Sequence, residues 1–144
     1  MKKISSKLED YLEAIYLLQQ ENIVARVKGV AEMLDVRPPT AISAIQRLSE
    51  LELLEHQHYG YIKLTRKGLK IAKSVYRRHE TLLIFLVDIL GLDIEVSLPQ
   101  ACGMEHSISA KTRKRFELLT NFIKFDPSIL KKWREYCEEH CDEK

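Results

Sequence analysis

Asp35-Val36-Arg37-Pro38-Pro39-Thr40-Ala41-Ile42-Ser43-Ala44-Ile45-Gln46-Arg47-Leu48 is the stretch that decides the fold. Proline is tolerated in a first helical turn but not in a helix interior, so Asp35 to Pro39 breaks one helix and a new one begins at about Pro39, running to about Leu53. In the new helix Ala41, Ile42, Ile45 and Leu48 form an apolar stripe, and Thr40, Ser43, Arg47 and Glu50 a polar one. Upstream, Val27 to Leu34 reads as a short amphipathic helix with Val30, Ala31 and Leu34 inward. Two helices joined this way make either a helix-turn-helix or an ordinary helical hairpin with a polar face. The first would turn Arg37, Thr40, Ser43 and Arg47 outward, where they could meet phosphates and base edges in a major groove. Arg26, just ahead of the first helix, joins that candidate set.

Downstream, the segment from Leu54 to Thr65 reads as a strand, a turn at Gly60 and a second strand with Tyr61 and Lys63 outward and Ile62 and Leu64 inward. A small hairpin directly after a helix-turn-helix is a wing, which favours the nucleic-acid reading over the plain hairpin. His56, His58 and Lys63 would lie along it, within reach of a phosphate backbone. His56 and His58 also have a metal-ligand spacing, but no third donor lies nearby in the sequence.

The first 78 residues carry 14 Lys/Arg against 9 Asp/Glu, the remainder 9 against 12, so the excess positive charge sits with the wing. A chain of 144 residues, 45% hydrophobic and 31% charged, supports one or two compact domains. No apolar run is long enough to span a bilayer and the first residues lack an apolar signal, so no membrane association and a cytoplasmic location are expected. An odd count of three cysteines argues for free or metal-bound thiols rather than a disulfide framework.

Before the helix-turn-helix, Leu8, Leu12, Ile15, Tyr16 and Leu18 follow helical spacing, with Ser5 or Ser6 as cap and with Asp10 and Glu13 three apart on another face. After the wing, Thr65 can cap a helix running to about Leu90 and ended by Gly91. At more than two dozen residues it is too long for a small winged domain and must enter a second one. Its first half is basic, and His79 marks the change to an apolar half. Ser97-Leu98-Pro99-Gln100 has the form of a capping box, opening a helix through Cys102-Gly103-Met104-Glu105-His106. Positions 102, 105 and 106 are related as i, i+3 and i+4, so a thiol, a carboxylate and an imidazole share one face. That face binds metal if other elements bring donors, and is otherwise an ordinary helix surface. Ser109 can cap a further helix with Phe116, Leu119, Phe122 and Ile123 on its apolar side. Asp126-Pro127 opens a last helix bearing Leu130, Trp133, Tyr136 and Cys137. These helices are too few and too apolar to stand alone, so dimerisation is expected.

Five stretches taken in order carry a resemblance: Glu9-Asp10-Tyr11-Leu12-Glu13, the winged helix, Tyr76-Arg77-Arg78-His79-Glu80, Leu90-Gly91-Leu92-Asp93, and Ala101-Cys102-Gly103-Met104-Glu105-His106-Ser107-Ile108-Ser109. Together they resemble the DtxR/MntR family of metal-dependent transcriptional repressors over nearly the whole chain. The resemblance implies a mainly α homodimer, with a winged helix-turn-helix domain over residues 1–74 and a helical metal-binding and dimerisation domain over 75–144. Such a repressor binds a palindromic DNA operator when metal fixes its winged domains, and shuts off metal-uptake genes. The length matches the short branch without a C-terminal β-barrel. Carried over by position, the ligands are Asp10, Glu13, His79, Cys102, Glu105 and His106. Asp10 is similar to the manganese branch, where iron-type members have methionine, and Cys102 to the iron branch, where manganese types have glutamate. The iron branch's ancillary site departs here, since Leu83 and Leu98 supply no donor.

Carboxylates and imidazoles suit Mn(II) or Fe(II), whereas a thiolate favours softer Fe(II), Co(II) or Zn(II). Iron is the expected metal with manganese close behind, and Co(II) or Zn(II) could bind in vitro. Donors on three helices would, on closing a coordination shell, remove freedom between the two domains. Two other readings stand beside this one: a winged regulator sensing redox state or another ligand through Cys137 and Cys141, and a metallo-hydrolase. The hydrolase lacks a phosphate loop, a nucleophile elbow and a spare acid/base pair, so no enzyme is expected.

Overall fold

The computed structural model describes residues 4–21, 24–57 and 60–140, which divide into two compact units, Met1–Tyr76 and Arg77–Lys144. The first holds α1 (Ser6–Gln20), α2 (Val27–Met33), α3 (Pro38–Glu50), β1 (Leu54–Gln57), β2 (Tyr61–Leu64) and the start of α4 (Arg66–Ile84). The second holds the rest of α4, a π-helical turn (Phe85–Ile89), α5 (Ile94–Glu105), α6 (Ala110–Phe125) and α7 (Pro127–His140). The mainly α, winged architecture expected from the sequence is the one observed.

In the first unit, Ser5 Oγ caps α1 by accepting from Leu8 N at 3.4 Å. The buried face of α1 comprises Tyr11, Leu12, Ala14, Ile15 and Leu18, adding Tyr11 and Ala14 to the expected stripe. Asp35 carries φ 49° in the turn after α2, a left-handed conformation that Asp tolerates better than most residues. Arg37 is extended (φ −70°, ψ 143°), as the residue before a proline must be, and α3 starts at Pro38. Ala41, Ile45 and Leu48 of α3 are buried at i, i+4 and i+7. Ile42, expected in that stripe, is instead 42% exposed, because one helical step of about 100° carries it off the line.

β1 and β2 pair antiparallel from Leu54↔Leu64 to Gln57↔Tyr61, with Ile62 and Leu64 buried and Lys63 exposed, as alternation requires. A third element, without a signal in the sequence, joins the hairpin here. Ile62 N donates to Ala25 O at 2.9 Å and Arg26 bridges Tyr61, so the residues just before α2 form a short edge on the wing. His58 lies outside the described residues, as does the side chain of His56.

Thr65 fixes the start of α4 twice over, its Oγ1 accepting from Gly68 N at 3.1 Å and donating to Glu52 O at 2.8 Å. This docks the first turn of α4 onto the segment after α3 so closely that a Cβ on Gly68 would lie 2.0 Å from Leu53 O.

In the second unit, Leu82, Leu86 and Ala101 form a small core, with Leu83, Leu90, Met104, Ile108 and Phe116 packed around it. Phe85 meets Phe116 edge-to-face at 4.9 Å. The helix expected to reach Leu90 does so, but its end is π-helical: Leu90 N donates to Phe85 O at 3.0 Å, and Gly91 (φ 73°) follows. α5 starts at Ile94, three residues earlier than the apparent capping box. Asp93 is its N-cap, with the Asp93 carbonyl accepting from Val96 N and Ser97 N. Ser97 is therefore fully buried inside the helix, and Pro99 leaves one interior helical bond unmade. Ser109 Oγ caps α6 through Thr112 N at 3.1 Å, and Asp126 Oδ1 accepts from Ser128 N at 2.9 Å at the start of α7, both as read from the sequence. α7 is held by Trp133 Nε1 donating to Ile89 O at 2.7 Å and by Arg134 donating to Asp88 O at 3.3 Å. Leu119 and Phe122 of the expected α6 face are largely exposed, as are Trp133 and Tyr136 of α7. Among the described residues no helix is long and apolar enough to cross a membrane.

Gly68→Ala should destabilise the winged unit by about 1–3 kcal/mol, because the added methyl meets backbone that cannot move aside. A thermal or urea melt showing wild-type stability would remove that close approach from the folded state.

Candidate metal centre and nucleic-acid face

α5 packs on the second half of α4 through Ala101 against Leu82 and Leu86. Glu105 lies one turn beyond Ala101 on the same side and is consequently 0% exposed. A carboxylate without solvent needs hydrogen bonds or counter-charges. His79 supplies one: its Nδ1 stands 2.7 Å from Glu105 Oε2. The other carboxylate oxygen, Oε1, lies 3.2 Å from His106 Nε2, in an alignment that makes no hydrogen bond. His106 is the C-cap of α5, so the helix ends at the cluster.

These three residues fit a divalent metal. With metal–ligand bonds of about 2.1 Å, adjacent donors in an octahedral or tetrahedral shell stand roughly 3.0–3.4 Å apart. The Oε1–Nε2 separation of 3.2 Å falls in that range. A fully buried carboxylate oxygen that accepts no hydrogen bond while facing an imidazole nitrogen suits a divalent cation as their common partner.

Cys102 is exposed, one turn before Glu105 on α5. Asp10 and Glu13 belong to the first unit, both half-buried on α1. Burial, helped by the neighbouring Asp10 charge, raises the Tyr11 phenol above its ordinary pKa. Leu83 packs in the second unit's core and Leu98 is exposed, so neither position offers a donor. Cys137 is half-buried on α7, and Cys141 lies outside the described residues.

On α3 the expected outward residues Arg37, Thr40, Ser43 and Arg47 are all exposed, as are Arg26 before α2 and Lys63 on β2. Arg47 pairs with Glu50 at 2.7 Å, a surface ion pair that exchanges readily for a phosphate. Ser43 Oγ donates to Pro39 O at 3.1 Å, turned back onto its own helix. Gln46 is also exposed, one turn after Ser43, and the sequence reading passed over it. Its amide is a group suited to adenine, and its position next to Arg47 was the available signal. Tyr61, beside Arg26, was likewise read only as an outward strand residue.

Two family models match the chain: the iron dependent repressor N-terminal DNA binding domain over residues 3–62, and the iron dependent repressor metal binding and dimerisation domain over 65–134. The transcriptional regulator MntR of Oceanobacillus iheyensis is 36% identical over 132 residues, covering 92% of this chain and 89% of that protein. MntR of Bacillus subtilis is 38% identical over 119 residues, covering 83% of each. Among solved structures, a manganese-dependent transcriptional repressor in complex with manganese aligns with a TM-score of 0.73 at 31% identity over 80% of this chain. The manganese regulator SloR aligns with a TM-score of 0.72 at 28% identity, also over 80%. The chain spans about half the length of those two solved chains, 53% and 54%. A winged DNA-binding unit, a buried carboxylate held between imidazoles, and family matches over both halves converge: the chain belongs to the DtxR/MntR family of metal-dependent transcriptional repressors.

Proposed function

We propose that this chain acts in the cytoplasm as a homodimeric repressor that binds a palindromic operator when Mn(II) or Fe(II) is available, and thereby silences metal-uptake genes. The observation that carries this is Glu105, a fully buried carboxylate whose two oxygens each face an imidazole nitrogen, from His79 and from His106. Asp10, Glu13 and Cys102 complete the proposed ligand set. When bound, the metal supplies a positive charge that the carboxylates and imidazoles share.

His79 and Glu105 already stand in hydrogen-bond contact, and because metal ligands bind in their deprotonated forms, loading weakens as pH falls. Asp10 and Glu13 sit on the helix that also carries part of the winged unit's core, through Leu12 and Ile15. Engaging them ties that unit to α5 and narrows the range of arrangements in which α3 can be presented to DNA. The gain in DNA affinity is limited to the metal's preference for that arrangement over the others. Ile94, Val96 and Leu98 of α5 and Leu118, Phe122 and Phe125 of α6 are exposed apolar residues that a second copy of the chain could cover, which supports the dimer.

The carboxylate-rich set with Asp10, together with relatives named for manganese, shifts the proposed metal from iron towards manganese. Cys102 is the residue that would admit softer ions. Cys102→Glu should weaken Zn(II) and Co(II) binding relative to Mn(II) by tenfold or more, on the order expected when a soft ligand becomes hard. Competition titrations under anaerobic conditions measure this, and an unchanged metal ranking would remove the thiol from the shell.

Glu105→Ala and His106→Ala should both lose Mn(II)-stimulated operator binding while remaining dimeric. They should also lose the metal's stabilisation of the fold, which for the wild type at a hundredfold excess over Kd is about 2.7 kcal/mol. Retained stimulation in either variant would mean that another site senses the metal. Arg47→Ala should weaken operator binding with metal affinity unaltered. Loss of a base contact costs about 1–3 kcal/mol, readable by mobility shift against wild type, and an equal affinity would take Arg47 off the recognition face.

A further inference from the structure

We infer that Arg26 and Tyr61 form a phosphodiester-binding pair at the root of the wing, with Tyr61 positioning the Arg26 guanidinium and adding its own phenol proton to the contact. The guanidinium carbon lies 4.9 Å from the Tyr61 ring centroid, and Arg26 Nη2 donates to Tyr61 Oη at 3.1 Å. The backbones are also joined: Arg26 bridges Tyr61, and the adjacent Ala25 O accepts from Ile62 N at 2.9 Å. Gln19 Nε2 donates to Ile62 O at 3.3 Å, which pins this edge of the wing to α1.

An exposed arginine normally samples many rotamers, and ordering it on binding costs side-chain entropy. Here a stacked ring and a hydrogen bond have already narrowed that sampling. A cation–π contact at an exposed site is weak, enough to bias the rotamer without locking it. The donor count points outward. Arginine has five N–H groups, and the hydrogen bond to Tyr61 uses one of them. Tyr61 Oη accepts that bond, so its own O–H remains to donate. One phosphodiester oxygen can take the phenol proton while its neighbour takes a guanidinium N–H, with both donors already side by side. Lys63, two residues along β2 on the same outer face, extends the positive strip.

A staple that merely holds the wing to the start of α2 would share this geometry, but it would leave DNA binding indifferent to the phenol oxygen. The two are separated by titrating full-length protein against a short duplex of scrambled sequence over a range of KCl, once with saturating Mn(II) and once in EDTA. Because the contact is to phosphate, no operator is needed. Arg26→Ala should lower the steepness of log Kobs against log salt by about 0.9, the value of one phosphate contact. Arg26→Lys should keep the slope and bind more weakly, since a point charge lacks the planar fork. Tyr61→Phe, which keeps the ring, should bind about fivefold more weakly with an unchanged melting temperature, and that loss should vanish in an Arg26→Ala background. Tyr61→Phe binding at the wild-type level, an Arg26→Ala slope equal to wild type, or a Tyr61→Phe loss that persists without Arg26 would each overturn the inference. If metal proves irrelevant, the Mn(II) and EDTA titrations coincide while the Tyr61→Phe ratio remains, so failure of the metal switch and failure of this pair are distinguishable.

Discussion

A carboxylate sealed from water is the constraint around which the second unit is arranged. Glu105 has no exposed surface, and an uncompensated charge there would cost several kcal/mol. Its compensation comes from one imidazole on α4 and another at the end of its own helix. This demands that α4 and α5 cross at a fixed place, which small Ala101 allows by letting α5 lie close against Leu82 and Leu86. Glu105, His79 and His106 are thereby brought together, as the proposed metal donors would have to be. Preorganisation of this kind lowers the ordering cost of binding, at the expense of a buried charge kept in the fold.

The DNA-facing unit follows a different logic. Its recognition helix is held by ordinary apolar contacts, Ala41, Ile45 and Leu48 beneath and the α1 stripe beside them. The exposed set above them mixes groups suited to base edges with groups suited to phosphate charge. α4 begins in this unit and ends in the other, and His79 stands three residues past the Tyr76 boundary. The proposed sensor therefore begins, in the sequence, almost where the winged unit stops.

Features set by local chemistry were legible in the sequence. Ser109, Asp126-Pro127, Gly91 and the turn at Asp35 marked helix ends because capping and left-handed geometry depend on neighbouring residues alone. The thiol, carboxylate and imidazole face of α5 was legible for the same reason, since it needs only the helical period. What escaped was whatever depends on packing or on backbone caps. Ser97-Leu98-Pro99-Gln100 imitated a helix start, whereas the true cap, Asp93, works through its carbonyl and leaves no side-chain signature. Ile42 looked like core but one helical step exposes it, and Tyr11 proved buried where only α1's partners could have said so. The short edge at Ala25 and Arg26 has too few residues to show alternation. His79 could be matched by resemblance, but its 2.7 Å contact with Glu105 exists only because of how two helices cross.

The π-helical turn at Phe85–Ile89 has its own consequence for how the molecule tolerates change. Such a turn holds one more residue than an α-turn, so every side chain after it is advanced in angular phase relative to the chain before it. The carbonyls of Asp88 and Ile89, both within this turn, accept from Arg134 and Trp133. The attachment of α7 is thus encoded in the number of residues between His79 and Gly91 as much as in their identities. A one-residue deletion there, silent in composition and conservative in hydropathy, would rotate both carbonyls away from Trp133 and Arg134, which exchanging a single exposed side chain would not do.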